Sequence, residues 1–560
     1  MKDFLLSIRR RVYRALPERL QGLVGWFYAL PSTFMARSKA YRMDPWAARF
    51  IAHNKKVWSA KTGNDGEVLV EIFQCATSIA AFSHLAQYLA RDMNASISAY
   101  FTRKRFWEES FLDTALARIY LSFANRIFHV NSDEEDRELD DLLSSVLAKL
   151  QSKEDLFKLT LDGIRLGDLF YDSILRTYNV PTVDMHAPML AKSLRTGLMG
   201  WLYWKRYLKA HKVRAIVVSH TVYQQFGVLP RLALSAGIPV FQANSDSLYR
   251  FSAQRPDAYL EFLDYPELFQ RIPVDARSTG IARAAQSLER RISGEVGVDM
   301  LYSSRSAFAT PSGERVLEAS NRKKILIAPH CFFDNPNNTF GGHLFVDFYE
   351  WIDFLGRVSE KTDYDWYIKT HPDVLPGNDE VLKAFQDRYP RFRLLPASTS
   401  HKQIIADGID VALTVYGTIG IEYPYLGIPV INASRFNPRI RYDFNIHPES
   451  VAHYEELLIN LDKLGPVRER DKIAEFYYMN RLRRPDFWLI DNLMKQIEDS
   501  GQRQNVQCGP WGYEAFLAQA TPERHDAIQA TVRRFVESGE YFLAVEQISP
   551  VSNSAVPVVT

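Results

Sequence analysis

DVALTVYGTIGIEYPYLGIPVI, residues 410–431, holds a complete structural unit. The apolar, β-branched run Val411–Val415 reads as a buried strand. Tyr416-Gly417-Thr418 interrupts it, and a helix begins near Ile419. Gly427 stops that helix and Pro429 opens the next strand. Strand, tight turn, helix, glycine stop and strand is the unit from which parallel sheets are built. Gly417 lets the backbone approach a neighbour closely. Thr418 is placed to cap the helix and to offer its hydroxyl to a ligand. A helix start that opens on a cleft is a ready anion site.

The same alternation runs through the chain in both directions. Strands are expected at Glu67–Phe73, Ile97–Phe101, Arg126–Val130, Arg214–His220 and Pro239–Ala243. A second set is expected at Lys323–His330, Asp365–His371, Phe392–Leu395, Val411–Val415 and Pro429–Ala433. At 560 residues the chain exceeds what one core holds, about 250 to 300 residues. The polar stretch Arg277–Lys323 separates the two sets. The expected division is a basic and apolar segment 1–31, a first Rossmann-like domain 32–310, a second 311–500, a helical extension 501–548 and a disordered tail 549–560. The acids of Ser132–Asp141 suit the first turn of a helix.

Lys plus Arg is 68 and Asp plus Glu is 66, a net charge of +2, which gives no basis for a nucleic-acid partner. Cys75, Cys331 and Cys508 lack metal-ligand spacing and read as unpaired thiols in a reducing compartment. Leu20–Pro31 spans about a dozen residues, short of the roughly 20 a membrane helix needs. Lys2, Arg9, Arg10, Arg11, Arg14 and Arg19 precede it, opposed by Asp3 and Glu18 alone. This segment suits either a seat on an anionic inner-membrane surface or a solvated helix. A cytoplasmic protein, peripheral on that membrane, is the corresponding expectation.

In open α/β sheets, ligands sit beyond the carboxyl ends of the strands. Three such ends carry chemistry in the second half. ILIAPHCFFDN, residues 325–335, presents His330 and Asp334. DWYIKTHPD, residues 365–373, presents Lys369, His371 and Pro372. The third is Tyr416-Gly417-Thr418. Gly-x-Gly-x-x-Gly, the P-loop, HExxH and paired CxxC are absent. Asp363-Tyr364-Asp365 precedes its strand, so it lies at the wrong sheet edge for a metal and reads as surface.

The His-Pro after a strand, followed by a threonine turn and hGhExxxxGhPVh, resembles the GT-B transferases of capsule and O-antigen assembly. It is similar to the pattern of capsule Kdo transferases, bacterial sialyltransferases and teichoic acid glycerophosphotransferases. The resemblance covers about residues 323–460, with Gly417-Thr418 where those families carry Ser-Ser or Ser-Thr. It implies an α/β, GT-B-like fold: two Rossmann-like domains facing an interdomain cleft. It also implies a cytidine nucleotide donor. His371 and Thr418 would hold its phosphates, together with Lys369, Pro372, Tyr416, Gly417 and Gly420, and Glu422 would face the nucleotide.

In the first half, SDSLYR, residues 245–250, is similar to the EDGFxR segment of the capsule Kdo transferases. Asp246 then matches an acidic position and Arg250 a basic one. Asp246 suits a general base or a nucleophile, or an ordinary loop cap. His330 and His371 complete the expected catalytic set. His220 and Asp168 join Arg250 as acceptor contacts, although Asp168, Asp172 and Arg176 also suit a salt-bridged helix.

The implied activity is metal-independent glycosyl transfer, with no cofactor, from a nucleotide sugar (CMP-activated, such as Kdo) to a lipid-linked or growing surface glycan. The alternatives are transfer of a polyol phosphate from a CDP-alcohol, and an inactive scaffold in an export complex.

Overall fold

The computed structural model describes residues 43–58, 63–101, 112–130, 136–298, 305–311, 313–334, 336–337, 342–370, 376–500 and 506–549. The expectations for residues 1–31, for the tail beyond 549, and for His371 and Pro372 lie outside these residues.

All ten expected strands form, most of them a residue or two shorter. In the first sheet these are β1 (Glu67–Glu71), β2 (Ser96–Phe101), β3 (Arg126–His129), β6 (Val213–Val218) and β7 (Val240–Asn244). Two short strands, β4 (Thr160–Leu161) and β5 (Ile164–Arg165), make a separate hairpin. The sheet order is β3-β2-β1-β6-β7-β8, all parallel except the last strand. That strand, β8 (Ser247–Phe251), runs antiparallel along β7, with Asn244 paired to Ser247. The SDSLYR segment is therefore a hairpin turn and an edge strand. Its Leu and Tyr bury inward, a pattern that a loop reading passes over.

The second sheet contains β9 (Lys324–Ile327), β10 (Asp365–Lys369), β11 (Phe392–Leu395), β12 (Val411–Thr414) and β13 (Val430–Asn432). Its order is β11-β10-β9-β12-β13 and every pair is parallel. Leaving the hairpin aside, both sheets begin as third-second-first-fourth-fifth, the doubly wound order. The reversal falls between β1 and β6 in one sheet and between β9 and β12 in the other. Apolar side chains fill both faces of each sheet, as parallel strands require.

The acids before residue 141 start a helix as expected. Asp136 accepts from the Glu138 amide, and the helix runs Arg137–Lys149. Arg277 lies within a long helix, Val274–Ser293, that stops at Gly294 with φ 102°. Asp365 is not surface: its side chain is 4% exposed and its carboxylate pairs with Arg322 at 2.6 Å.

The chain returns to the first sheet at its end. Trp488, Phe516, Val532 and Phe535 are buried against Phe82, Ile97 and Phe241 in one core. Cys75 and Cys508 form a disulfide across 433 residues, which corrects the reading of unpaired thiols for these two. No local spacing links them, because the late helices bring Cys508 back to the first domain. Cys331 forms no disulfide. Among the described residues no helix is long and apolar enough to cross a membrane.

The carboxyl edges of the two sheets meet. Tyr223, just beyond β6, donates to Asp334, beyond β9, at 2.7 Å. In the helix Gly167–Tyr178, Asp172 accepts from the Asn337 amide at 3.1 Å and from its side chain at 2.9 Å, and Tyr171 donates to Asp347 at 2.5 Å. Asp168 lies on this helix too, in a bidentate pair with Arg231 at 2.6 and 2.8 Å. Both side chains are less than one tenth exposed. Removing one partner leaves a buried charge, which costs about 3–5 kcal/mol. Asp168→Ala is therefore expected to shift the urea midpoint strongly, and Asp168→Asn, which keeps an acceptor for Arg231, to shift it less. A near-neutral single variant would show the pair to be dispensable.

Candidate functional site

At the switch point of the second sheet, Ala328 and Val415 carry the chain out of adjacent strands. His330 accepts the Tyr416 amide at Nε2, 3.2 Å away. Nε2 is thus unprotonated and committed to the backbone, which removes it as a proton acceptor for a substrate. The ring lies between Tyr416 and Phe348, with centroids 4.1 and 4.8 Å away. Thr414 donates to the Ala328 carbonyl at 3.1 Å and its hydroxyl receives the Gly417 amide at 3.2 Å. A Cβ at Gly417 would stand 2.8 Å from that hydroxyl, so this position needs glycine for close approach. Thr418 begins the helix Ile419–Tyr425, but its side chain makes no capping bond and its backbone is already helical. The expected cap is corrected: a residue with φ −62° and ψ −21° does not hold the extended conformation that aims a hydroxyl at the first-turn amides.

Positive charge gathers behind this turn. Lys369, the last residue of β10, is 3% exposed. Burial pulls its ammonium down to about 8, against the nearby Glu422 carboxylate. Arg439 is 2% exposed, and its Nε and Nη2 have no hydrogen-bond partner among the described residues. Burial and the neighbouring Arg481 cation lower it to about 9. Gly420 makes room for this guanidinium, since a Cβ there would stand 2.7 Å from Nε. Glu422, 4% exposed, is the carboxylate within reach of both Lys369 and Arg439, and it is already bonded to Arg291 at 2.6 Å. Lys369, Tyr416, Gly417, Thr418, Gly420 and Glu422 thus converge on one edge. Arg439 and Arg481 complete the group, although sequence reading passed over them. Their signal was two arginine-dense segments, RFNPRIR and NRLRR, which look like solvated surface.

A second constellation sits at the switch point of the first sheet. Glu71 ends β1 and is 1% exposed. Its Oε2 accepts the Ser219 amide at 2.7 Å and the Ser219 hydroxyl at 2.6 Å, and its Oε1 has no hydrogen-bond partner among the described residues. Burial outweighs those bonds and pushes the carboxyl up to about 7. The Ser219 hydroxyl also lies 2.5 Å from Nδ1 of His220. Because that hydroxyl donates to Glu71, it accepts from Nδ1–H, which leaves Nε2 as the acceptor nitrogen. Burial lowers the imidazole to about 4, so it is neutral. Tyr223, three residues on, holds φ 63°, a conformation that non-glycine residues keep where the surroundings over-determine it.

Asp246 and Arg250 are not part of either group. Asp246 sits at the β7–β8 turn, on a cavity shared with Glu261 and Arg484. Arg250 reaches the Val536 carbonyl at 3.2 Å and lies over Phe241, anchoring the returning C-terminal helix. Asp168 is paired within the first domain. Among the described residues no group of three His, Cys, Asp or Glu side chains is gathered as a metal site.

No family model and no curated protein matches this chain. Several solved structures align with it over most of its length. UDP-GlcNAc 2-epimerase from Neisseria meningitidis, bound to UDP-GlcNAc, is 11% identical with a TM-score of 0.22, covering 78% of this chain and 99% of its own. A glycosyltransferase from Rickettsia africae is 11% identical with a TM-score of 0.22, covering 82% and 100%. MurG from Acinetobacter baumannii is 11% identical with a TM-score of 0.20, covering 78% and 98%.

Proposed function

We propose that this chain is a glycosyltransferase. It takes a sugar from a nucleotide donor, CMP-activated by the resemblance of its His-Pro and threonine-turn motifs, and passes it to a hydroxyl of a surface glycan. The observation that carries the reading is the buried positive charge at the carboxyl edge of the second sheet. Lys369 and Arg439, whose Nε and Nη2 have no hydrogen-bond partner among the described residues, share one nearby carboxylate, Glu422, that Arg291 already holds. Buried cations in such surroundings are stable when an anion completes them. A nucleotide phosphate is an anion of that kind, and it is also the leaving group whose charge must be stabilised during transfer. Lysine and arginine supply that stabilisation without a metal.

Across the domain junction, His220 receives the proton of the acceptor hydroxyl at Nε2. Ser219 and Glu71 hold the opposite nitrogen and stabilise the imidazolium that forms. The donor phosphates leave toward Lys369 while the acceptor oxygen attacks from the first-domain side.

A thermal-shift screen with CMP, CDP, UDP, GDP and their sugars tests the donor site. A ligand at 100 times its Kd stabilises by about 2.7 kcal/mol, so the correct nucleotide stands out. No shift with any of them at millimolar concentration would remove the proposal. With the matching donor, turnover should be unchanged by EDTA, and the product should be a glycoside rather than a polyol phosphodiester.

A further inference from the structure

A cavity of about 410 Å³ lies at the junction of β8, the segment 259–273 and the C-terminal return. Its wall is aromatic. Tyr249 packs against Tyr259, Tyr541 and Phe542 with ring centroids 5.7, 5.4 and 4.9 Å away. Its polar groups are of mixed sign. The Tyr249 hydroxyl lies 3.4 Å from each oxygen of Glu261, and Arg484 feels the charges of both Asp246 and Glu261. Burial pushes the Glu261 carboxyl up to about 7. At the mouth, Tyr259 is 49% exposed and holds φ 65°. An exposed ring kept in a left-handed conformation is a feature of ligand clamps.

The chemistry selects among ligands. Asp246, Glu261 and Glu540 all line the cavity, which disfavours a phosphate. Of the lining arginines, Arg483 is paired with Glu546. A sugar ring fits instead. Its C–H face packs on an aromatic ring, and its vicinal hydroxyls both donate to carboxylates and accept from a guanidinium. The volume falls in the range of small-molecule sites, about 300–1,000 Å³. The π-helical turn Tyr478–Leu482 joins the two places: Asn480 lines the cavity, while Arg481 faces Arg439. Such turns recur at functional sites.

The geometry points to a glycan subsite here, taking one or two uncharged sugar units of the acceptor, separated from the nucleotide phosphates by a single helical turn. The inference rests on the transferase reading for the word acceptor, but the binding itself does not.

The test uses the full chain on an array of neutral and acidic oligosaccharides, with nucleotide thermal shifts in parallel. Tyr259→Gly removes the ring without strain, because glycine accepts φ 65°, and Glu261→Gln keeps the shape. Each is expected to weaken glycan binding at least about tenfold, the loss of roughly one good contact or hydrogen bond, and to leave nucleotide shifts unchanged. Lys369→Met should do the reverse. No glycan bound above background, or undiminished binding by both variants, overturns the subsite. Glycan binding with no nucleotide shift in the unmodified protein would sink the transferase reading and leave the subsite standing.

Discussion

Lys369→Met is expected to lower turnover about 100- to 1000-fold, the usual loss when one preorganised donor to a developing negative charge is removed. The same change should leave the melting temperature unchanged or raise it. Lys369 is 3% exposed and, among the described residues, reaches no acceptor closer than the Thr370 carbonyl at 3.5 Å. Methionine keeps the length of the stem and removes a charge that burial penalises. Arg439→Met should behave alike, since two of its donor nitrogens have no partner among the described residues. The two changes act on one anion, so their losses should fall short of additive.

The pH dependence has a definite sign. The lysine is lowered to about 8, so it is charged below that value and neutral above it. Nucleotide affinity should therefore fall as pH rises through about 8, and Lys369→Met should abolish that fall. A variant that melts at a clearly lower temperature while its nucleotide shift persists undiminished would mean that the cluster holds the fold and not a ligand.

What was legible in the sequence follows from the length scale of each signal. All ten parallel strands could be placed because each is a short run rich in apolar, β-branched or aromatic residues, a signal contained within a few positions. The turn Tyr416-Gly417-Thr418 was legible for the same reason, and the 2.8 Å approach at Gly417 agrees with its reading. The edge strand Ser247–Phe251 was missed because SLYRF is only five residues long, shows no alternation, and begins inside a polar turn. Its partner on the other side comes from residue 542, about 290 positions later, and no local pattern announces that pairing.

The cation cluster was half legible. Lys369 and Glu422 lie beside strand ends, where the rule for α/β sheets looks. Arg439 and Arg481 reach the same place from loops and helices far along the chain, and their burial is a tertiary fact. Glu71 was within reach of the rule: it is the last residue of β1, at the carboxyl edge, after the apolar run EVLV. Ile72 and Phe73 prolong the apolar pattern past it, so the strand reads as Glu67–Phe73 and Glu71 falls inside it instead of at its end.

Glu71 matters for the proton. His220→Ala is expected to reduce turnover about 100- to 10,000-fold, the span of general-base catalysis, while nucleotide shifts stay intact. His220 is a weak base alone, because the burial that keeps it neutral lowers it to about 4. Glu71 offsets this when ionised, since Ser219 relays its charge to Nδ1 through bonds of 2.6 and 2.5 Å. With Glu71 at about 7, the relay is complete above that pH and is lost as the carboxyl takes up a proton below it. Turnover should therefore rise with pH through about 7. Glu71→Gln should flatten that limb and hold the rate near its acid value, and Ser219→Ala should do the same by cutting the relay. A merely structural Glu71 would change stability and leave the pH profile in place. If the unmodified protein shows the limb and Glu71→Gln retains it, the base lies elsewhere. Asp246, on its separate cavity, is then the carboxylate to replace next, with Asp246→Asn judged by the same profile.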